Sequence, residues 1–507
     1  MSRRLLFWVA YWLTSPIAWR HQRALRNPER AQKRVLNRLI KSLRETDYGV
    51  SLALSESSDF AEKVPLVDFS DLAPWVAKQK DGRPALLPHP PRFYERTSGS
   101  TGAPKDIPYS SGLLKSFGRL FVLWARDLYR GVPGLGQGRV YFSISPQLNS
   151  AGTDREHGLQ DDRDYLPAPV RWLLGDRFLS VPGAQNATTT AEFLDATSLA
   201  LLKAEDLQVI SVWSPSFLTV ILDHIQSHGD RLATLLPEKR GEAVQAALEN
   251  QEPWRAIWPN LSLLSLWEDG QAAPMAKALE ERLPGVLVQG KGLLATEAPM
   301  TLPRVGTHGQ EPLLTEVYFE FQDSEGELHG LHALELDTEY SVIISTPGGL
   351  FRYRTHDWVR VVGQVGATPT LRFVGRRNKT SDLVGEKLSE AFVVEVLAGL
   401  ELPDGRRVLA PGSDRKGYLL LLEQEPADRA SLAEALDRAL SSAHHYGLAR
   451  DLGQIQSAQV RVIPNLSRCL MESGSGPSYG NTKISALLTS PLKPGFLPGV
   501  EKSGDTK

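Results

Sequence analysis

The chain has 507 residues, of which 41% are hydrophobic and 23% are charged. This composition predicts a globular protein of two or three domains and excludes fibrous, low-complexity and disulfide-rich classes. The formal net charge of −2 argues against nucleic acid as a partner, because phosphate-backbone binding needs a basic surface. The single cysteine, Cys469, excludes an intrachain disulfide and a cysteine-rich zinc site, and we expect a reducing, cytoplasmic location.

The N-terminal segment joins two arginines to an apolar run over residues 5–19 that contains Trp8, Trp12 and Trp19. The run is shorter than the ~20 residues that cross a bilayer, and no small-residue cleavage pattern follows it. Two interpretations stay open: a helix buried against the protein, and a weak peripheral membrane contact through a tryptophan-rich face. Residues 491–507, rich in Pro, Gly, Lys and Ser, predict a flexible tail.

The first 300 residues alternate between helical and strand-like patterns. Periodicity predicts helices over 27–47, 110–129, 215–228 and 274–283. Short apolar runs predict strands over 92–96, 140–145, 209–213 and 261–267. Strands that alternate with helices indicate an α/β sheet with crossover connections.

The pattern changes after residue 310. Closely spaced strands with glycine turns are predicted over 313–321, 340–346, 358–362 and 370–374, which is typical of a small antiparallel barrel. Helices over 386–397 and 430–444, with a strand over 417–423, then predict a separate α+β unit. We therefore predict an α/β fold with a large domain over residues 1–376, containing mixed or parallel sheets and the barrel, and a small mobile C-terminal domain over 377–490.

Residues 97–105 (TSGSTGAPK) combine hydroxyls, two glycines and a lysine in one loop. Glycines allow close backbone approach, while backbone N–H groups and hydroxyls donate to phosphate oxygens. The spacing differs from the Walker loop, and Pro104 precedes the lysine. The residues expected to surround the phosphates are Ser98, Gly99, Ser100, Thr101, Gly102 and Lys105.

This loop resembles the T-S-G-[ST]-T-G-x-P-K loop of the adenylate-forming superfamily, which comprises acyl-CoA synthetases, luciferases and peptide-synthetase adenylation domains. In that superfamily the loop binds the β and γ phosphates of ATP. Residues 292–297 (GLLATE) stand in the place of the superfamily's Y-G-x-T-E motif. The resemblance implies that Thr296 adjoins the nucleotide and that Glu297 holds Mg²⁺, for which a carboxylate is suited.

Residues 349–357 (GLFRYRTHD) closely resemble the G-L-Y-R-Y-R-x-G-D motif of the Gretchen Hagen family, the acyl acid–amido synthetases of plants and their bacterial relatives. The resemblance implies that Asp357 accepts hydrogen bonds from the ribose of ATP, and that Arg376 lies beside the nucleotide where the chain enters the hinge. His356 replaces the family's glycine, and histidine tolerates the left-handed conformation such a turn requires.

Two further residues take their expected roles from the same resemblance. Leu293 replaces the tyrosine that stacks on adenine in many superfamily members, so Tyr353 is the candidate for that contact, with packing in the small barrel as the alternative. Lys483 lies in the glycine-rich segment 474–483. A lysine on such a loop swings into the superfamily's site during adenylation, where it can neutralise charge in the transition state.

The ends of the predicted strands indicate where an acid could bind, since ligands sit at the carboxyl ends of parallel strands. Ser145, Trp213 and Ser216 are the candidates for the acyl pocket, with plain core packing as the alternative. An arginine pair, Arg352 and Arg354, could contact phosphate or carboxylate, and we expect at least one of them to form a structural ion pair.

Together the motifs predict a ligase that depends on ATP and Mg²⁺. A small carboxylic acid is expected to form an acyl-adenylate, and an amine, such as an amino acid, then forms an amide and releases AMP. The alternatives are a thioester ligase that acts on coenzyme A or a carrier-protein thiol, and a nucleotide-binding scaffold without catalysis. The acid, the amine and the oligomeric state stay open.

Overall fold

The computed structural model has the α/β architecture that the alternating pattern predicts. It describes residues 8–9, 11–54, 59–97, 105–142, 177–181, 183–184, 187, 189–307, 309–376, 380–381, 383, 386, 388–414, 416–451, 454–472 and 485–490. Among these residues, no helix is both long and apolar enough to cross a bilayer.

The described residues form helices and strands with the following bounds. The helices are α1 (Ser15–Leu25), α2 (Pro28–Leu43), α3 (Asp47–Ser51), α4 (Phe60–Lys63), α5 (Phe69–Lys80), α6 (Ser111–Gly131), α7 (Thr190–Lys203), α8 (Pro215–Thr234), α9 (Glu238–Leu248), α10 (Pro253–Ile257), α11 (Ala273–Arg282), α12 (Glu390–Ala398), α13 (Arg429–Leu440), α14 (His444–Asp451) and α15 (Leu466–Glu472). The strands are β1 (Phe93–Thr97), β2 (Lys105–Tyr109), β3 (Arg139–Phe142), β4 (Leu207–Ser211), β5 (Leu263–Leu266), β6 (Leu287–Gly290), β7 (Leu294–Ala295), β8 (Ala298–Pro299), β9 (Thr301–Leu302), β10 (Glu311–Pro312), β11 (Tyr318–Gln322), β12 (Leu328–Gly330), β13 (Glu339–Ser345), β14 (Tyr353–Val365), β15 (Thr368–Arg376), β16 (Thr380–Ser381), β17 (Leu388–Ser389), β18 (Arg407–Pro411), β19 (Tyr418–Leu422) and β20 (Gln459–Val462).

A parallel sheet forms the first layer, with its strands in the order β3-β4-β5-β6. The central strands β4 and β5 are buried along their whole length, as expected of strands with helices on both faces. Helices α8 and α11 lie in the connections and pack into the same hydrophobic cluster as the sheet. The carboxyl ends of all four strands meet at one edge, where they end at Phe142, Ser211, Leu266 and Gly290.

A five-stranded antiparallel sheet follows, in the order β12-β11-β13-β14-β15. It occupies the region where a small antiparallel barrel was expected, and it packs against α2 in the largest hydrophobic cluster. The strand predicted over 313–321 is wrong at its start, since β11 begins at Tyr318. The preceding residues form a turn that the Gln32 amide fixes by donating to the carbonyls of Leu314 (2.9 Å) and Val317 (2.8 Å).

The residues after 388 build a mixed sheet in the order β18-β19-β20, covered by α12 and α13. The helix predicted over 430–444 is wrong at its end: α13 stops at Leu440 and α14 begins at His444. The Ser441 and Ser442 hydroxyls donate to the carbonyls of Asp437 and Ala439, both at 2.7 Å, and so compete with helix continuation. The domain boundary near residue 376 stays a prediction, because residues 377–379 lie outside the described range.

A buried ion pair ties the start of β14 to the rest of the antiparallel sheet. Arg352 and Glu320 expose 5% and 10% of their side chains and form two hydrogen bonds of 3.0 and 2.9 Å. The guanidinium also donates to the carbonyls of Ala61 (2.7 Å) and Val64 (2.8 Å). Arg352 is therefore the structural arginine of the pair that the sequence singled out.

We expect Glu320→Gln to lower the free energy of unfolding by about 3 kcal/mol, because it leaves the buried Arg352 charge uncompensated. The matched control is Glu425→Gln, which breaks the exposed ion pair with Arg429 and should cost less than about 1 kcal/mol. Urea denaturation followed by tryptophan fluorescence measures both. Equal losses in the two variants would show that burial adds nothing to the Arg352 pair.

Candidate functional site

The two strands that flank the phosphate loop form a β-hairpin. Strands β1 and β2 pair in antiparallel register, with Thr97 opposite Lys105. The predicted phosphate ligands from Ser98 to Gly102 lie outside the described residues. Lys105 is the first residue of β2, so the hairpin fixes its backbone while the side chain remains half-buried.

A second hairpin presents Thr296 and Glu297. Strands β7 and β8 pair with Leu294 opposite Pro299 and Ala295 opposite Ala298, which leaves Thr296 and Glu297 as a two-residue turn. The Tyr109 hydroxyl, at the end of β2, donates to the Thr296 carbonyl at 2.9 Å. The two hairpins therefore contact each other through the strand that begins with Lys105.

Lys105, Tyr353 and Glu297 meet in one contact. The Lys105 Nζ donates to the Tyr353 Oη at 3.2 Å, and the same hydroxyl donates to Glu297 Oε1 at 3.4 Å. These residues belong to three separate motifs, and up to 248 positions of sequence lie between them. The contact places a cation, a hydroxyl and a carboxylate together, which is a set that can bind a phosphate chain and a hard cation.

The ring of Tyr353 is buried, with only 2% of the residue exposed, and it belongs to the largest hydrophobic cluster. Tyr353 was expected either to contact adenine or to pack in the small barrel. Its ring is packed in the core, while its hydroxyl contacts Lys105 and Glu297. Leu293 is also buried in this cluster. The expected stacking of Tyr353 on adenine stays a prediction.

Gly292 begins the 292–297 motif with a φ of +72°. A Cβ at this position would lie 2.6 Å from Thr301 Oγ1 and 2.9 Å from Gln310 Oε1. The space is needed because the next amide, that of Leu293, donates to Thr301 Oγ1 at 2.7 Å. Glycine therefore lets the chain turn sharply from β6 into the hairpin that carries Glu297.

The 349–357 motif also bends where the sequence predicts. His356 has a φ of +59°, which confirms that histidine takes the left-handed conformation there. Its Nε2 lies 2.5 Å from Asp68 Oδ1, and Arg354 Nη1 lies 4.0 Å from the other oxygen of Asp68. Asp68 thus contacts both Arg354 and His356, near the start of β14.

Asp357 is fully buried and pairs across the sheet with Arg376 on β15. Its amide donates to the Thr355 hydroxyl at 3.1 Å, and that hydroxyl donates to the Val342 carbonyl at 2.8 Å. The pairing brings two predicted nucleotide residues to neighbouring positions of the backbone. Their contacts with a nucleotide stay predictions, as does the role of Lys483, which lies outside the described residues.

Two of the predicted acid-pocket residues lie near the carboxyl end of β4. Trp213 is half-buried, and its ring lies 5.7 Å from that of Trp267, which follows β5. Ser216 is buried in the first turn of α8, where its hydroxyl bonds that of Ser214 at 2.7 Å. Ser145, the third candidate, lies outside the described residues.

Sequence reasoning missed Lys291, which follows β6 at the same edge. Its Nζ donates to the Ser211 hydroxyl at 2.6 Å and to the Ser265 hydroxyl at 3.4 Å, and it lies 4.9 Å from the centre of the Trp213 ring. The signal was available, because Lys291 directly precedes the 292–297 motif. Its serine partners, however, lie 26 and 80 residues away and could not be paired from one sequence.

Glu268 and Asp269 were also missed, although they directly follow the predicted strand over 261–267. Burial, together with the neighbouring Asp269 carboxylate, raises the pKa of Glu268 to about 7. Burial raises the pKa of Asp269 as well, against the opposing effect of Arg372. The carboxyl edge of the parallel sheet therefore carries a carboxyl group that takes up a proton near neutral pH.

Comparison with known proteins identifies the family. Residues 20–242 match the GH3 family N-terminal domain, and residues 312–376 match the GH3 family central domain. Indole-3-acetic acid-amido synthetase GH3.8 of Oryza sativa subsp. indica is 26% identical, over 92% of this chain and 89% of that protein. Jasmonoyl--L-amino acid synthetase JAR6 of Nicotiana attenuata is 23% identical, over 85% and 86%.

Among solved structures, AtGH3.15 acyl acid amido synthetase in complex with 2,4-DB superposes with a TM-score of 0.76 at 16% identity, over 94% of both chains. The architecture is therefore the fold of an acyl acid amido synthetase. The two matched domains cover more than half of the chain, and the protein belongs to the GH3 family, the Gretchen Hagen family of the sequence motifs.

The raised pKa of Glu268 predicts a pH dependence of stability. Between about pH 4.5 and 7 the folded protein retains a proton that the unfolded chain releases, so the free energy of unfolding falls as the pH rises through this window. Glu268→Gln removes this loss. We compare the free energy of unfolding of the variant with that of wild type. We expect this difference to be about 1–2 kcal/mol more favourable to the variant at pH 8 than at pH 5.

Urea denaturation at the two pH values measures this difference. Glu249→Gln, which alters an exposed carboxylate at the end of α9, is the control and should follow the wild-type curve. If Glu268→Gln also follows that curve, the Glu268 carboxyl is ionised in the folded protein throughout the window.

Proposed function

We infer that this protein is an ATP-dependent acyl acid–amido synthetase. The observation that carries the inference is the contact among Lys105, Tyr353 and Glu297, which joins the phosphate loop, the 292–297 motif and the 349–357 motif. The relatives named above supply the reaction class, since they are amido synthetases. The substrates are then a small carboxylic acid and an amine, for which an amino acid is the proposed class.

The donor set fits ATP with Mg²⁺. The described residues contain no cluster of three or more His, Cys, Asp or Glu that could hold a metal by itself. A single carboxylate, that of Glu297, is what Mg²⁺ requires when substrate phosphates and water fill its other positions. When bound, Mg²⁺ neutralises phosphate charge. Lys105, which begins the strand after the phosphate loop, adds a positive charge 3.2 Å from the Tyr353 hydroxyl.

The first half-reaction requires positioning and charge neutralisation rather than a nucleophilic side chain. A carboxylate oxygen of the acid attacks the α-phosphorus of ATP, the bond to the β-phosphate breaks, and pyrophosphate leaves with both electrons of that bond. We propose that Ser98, Thr101 and Lys105 surround the phosphates, that Asp357 accepts from the ribose, and that Lys483 offsets the charge at the α-phosphate. Nitrogen of the amine then attacks the acyl carbon, loses a proton, and AMP leaves.

The acid is proposed to bind at the carboxyl edge of the parallel sheet, where ligands of such sheets bind. Trp213 and Trp267 supply flat apolar walls there, and Lys291 lies against the Trp213 ring at 4.9 Å. This surface suits a flat acid whose ring or chain carries a hydrogen-bond acceptor. The relatives are an indole-3-acetic acid-amido synthetase, a jasmonoyl-L-amino acid synthetase and an acyl acid amido synthetase that binds 2,4-DB.

The test is exchange of labelled pyrophosphate into ATP over a panel of aryl, indolyl, fatty and amino acids. We expect exchange with at least one acid, and an amide once an amino acid is added. A thioester formed with coenzyme A, without an amide, would assign the enzyme to the thioester ligases. Nucleotide binding without exchange over the whole panel would favour a scaffold instead.

Tyr353→Phe tests the contact itself. The substitution keeps the buried ring and removes the hydroxyl that links Lys105 to Glu297, so we expect the exchange rate to fall at least about tenfold, because two hydrogen bonds that position these side chains are lost. Tyr340→Phe is the matched control: its hydroxyl accepts from the amide of Glu335, in the loop before β13, at 3.2 Å, and its exchange rate should stay within about twofold. Equal rates in both variants would remove the Tyr353 hydroxyl from the mechanism.

A further inference from the structure

The N-terminal helix carries tryptophans on its outer face. Trp8, Trp12 and Trp19 are 53%, 57% and 61% exposed, and Leu13 beside them is 75% exposed. Residues 8–9 and 11–13 are helical and lead into α1. The Trp8 and Trp12 rings lie 6.0 Å apart, and Trp19 is exposed on α1, after the turn at Thr14. Large apolar groups exposed in this way mark an interaction surface.

The opposite face of the same segment is fixed against the protein. The Tyr11 ring packs on that of Tyr129 at 5.9 Å and under the Arg126 guanidinium at 3.8 Å. Arg126 also donates to the Thr14 hydroxyl at 2.9 Å, and His21 Nε2 lies 3.0 Å from the buried Glu311 carboxylate. The tryptophans therefore point outward because the other side of the helix is anchored.

Positive charge surrounds the tryptophans. Residues 8–44 hold nine Lys and Arg and one Glu, a net charge of +8 in a chain whose total is −2. Arg20, Arg23 and Arg26 are exposed on or next to α1, and the Arg23 guanidinium lies 5.3 Å above the Trp19 ring. Arg23 and Arg26 follow Trp19 by four and seven residues, so they continue the tryptophan face along the helix.

Lys and Arg are exposed on the following helix as well. Arg30, Lys33 and Arg34 lie in the first two turns of α2, with Glu29 beside them as the acidic residue of that turn. Arg38, further along α2, is exposed, and desolvation of its guanidinium together with the neighbouring cations Arg20 and Arg119 lowers its pKa against the effect of Glu316. Positive charge from α1 and α2 thus adds up over one region of the surface.

We propose that this surface, defined by Trp8, Trp12, Leu13, Trp19, Arg20, Arg23 and Arg26, binds the headgroup region of an anionic membrane. Tryptophan prefers the membrane–water boundary, where its ring contacts acyl chains and its N–H remains hydrated. Arginines next to it attract acidic lipids, and the combination of an apolar face with cations is that of a helix lying in the membrane plane. A nucleic acid would use the arginines but leaves the outward indole rings without a role in duplex binding.

Co-flotation of the full chain with vesicles tests the proposal. We expect binding to phosphatidylcholine vesicles that contain about 30 mol% phosphatidylserine, and at least about tenfold weaker binding to pure phosphatidylcholine. The double variant Trp12→Ala, Trp19→Ala should bind the anionic vesicles about tenfold more weakly or worse, since it removes two interfacial side chains. The triple variant Arg20→Gln, Arg23→Gln, Arg26→Gln should lose about a hundredfold, at about fivefold per charge.

Matched controls keep the two contributions separate. Leu235→Ala with Leu336→Ala removes two exposed apolar side chains elsewhere on the surface. Lys239→Gln, Arg255→Gln and Lys277→Gln together remove three exposed charges elsewhere. Both sets should bind anionic vesicles within about twofold of wild type. Circular dichroism and thermal unfolding of each variant verify that the fold is retained.

Three outcomes overturn the proposal. The first is no binding to either vesicle, and the second is an equal loss in the control sets. The third is binding to transfer RNA that competes with the vesicles and does not depend on the tryptophans, which would assign the surface to a polyanion. The result is independent of the proposed ligase activity, because none of the substituted residues belongs to the Lys105–Tyr353–Glu297 contact.

Discussion

The buried Arg352–Glu320 pair is the constraint on which the arrangement of the site depends. Arg352 takes a φ of +47°, which a non-glycine residue adopts at a cost, and its guanidinium is held by two carboxylate oxygens and two carbonyls. The next residue is Tyr353, whose hydroxyl joins Lys105 and Glu297. The segment before α5 is held in the same way, because the Val67 amide donates to the Arg352 carbonyl at 3.1 Å and the Arg354 amide donates to the Val67 carbonyl at 2.9 Å. The buried Arg352 charge thus positions the adjacent Tyr353, whose hydroxyl contacts Lys105 and Glu297.

The sequence predicted the parts of this site that reside in local motifs. Lys105, Thr296, Glu297 and Tyr353 were singled out because short segments resemble the family's motifs, and the left-handed turn at His356 was expected because histidine replaces a glycine of the motif there. Long apolar runs and helical periods likewise gave the parallel sheet and α6, since those patterns repeat within a few residues. Such features are encoded by neighbours along the chain, and one sequence is enough to find them.

What the sequence did not predict depends on partners far apart in the chain. Asp68 contacts His356 across 288 positions, and Lys291 reaches Ser211 across 80. The strand expected from residue 313 starts at Tyr318 because the Gln32 amide, from α2, holds the preceding turn. From the sequence we expected the Tyr353 ring to contact the nucleotide. In the fold, tertiary packing buries the ring, and the hydroxyl contacts Lys105. In each case tertiary contacts decided between alternatives that local propensity left open.

Helix α6 runs from the candidate site to the tryptophan surface, so its length sets the distance between them. Helix α6 begins directly after β2, the strand that starts with Lys105, and the Tyr11 contact lies at Tyr129 near its other end. Eighteen residues from Ser111 to Tyr129, at 1.5 Å each, span about 27 Å. Ile17 and Ala18 of α1 pack with Leu120 and Leu123, in the middle of α6, so that the outward indoles follow the half of α6 distant from β2. A membrane bound there would lie toward the end of α6 that contacts Tyr11, opposite the end that follows β2.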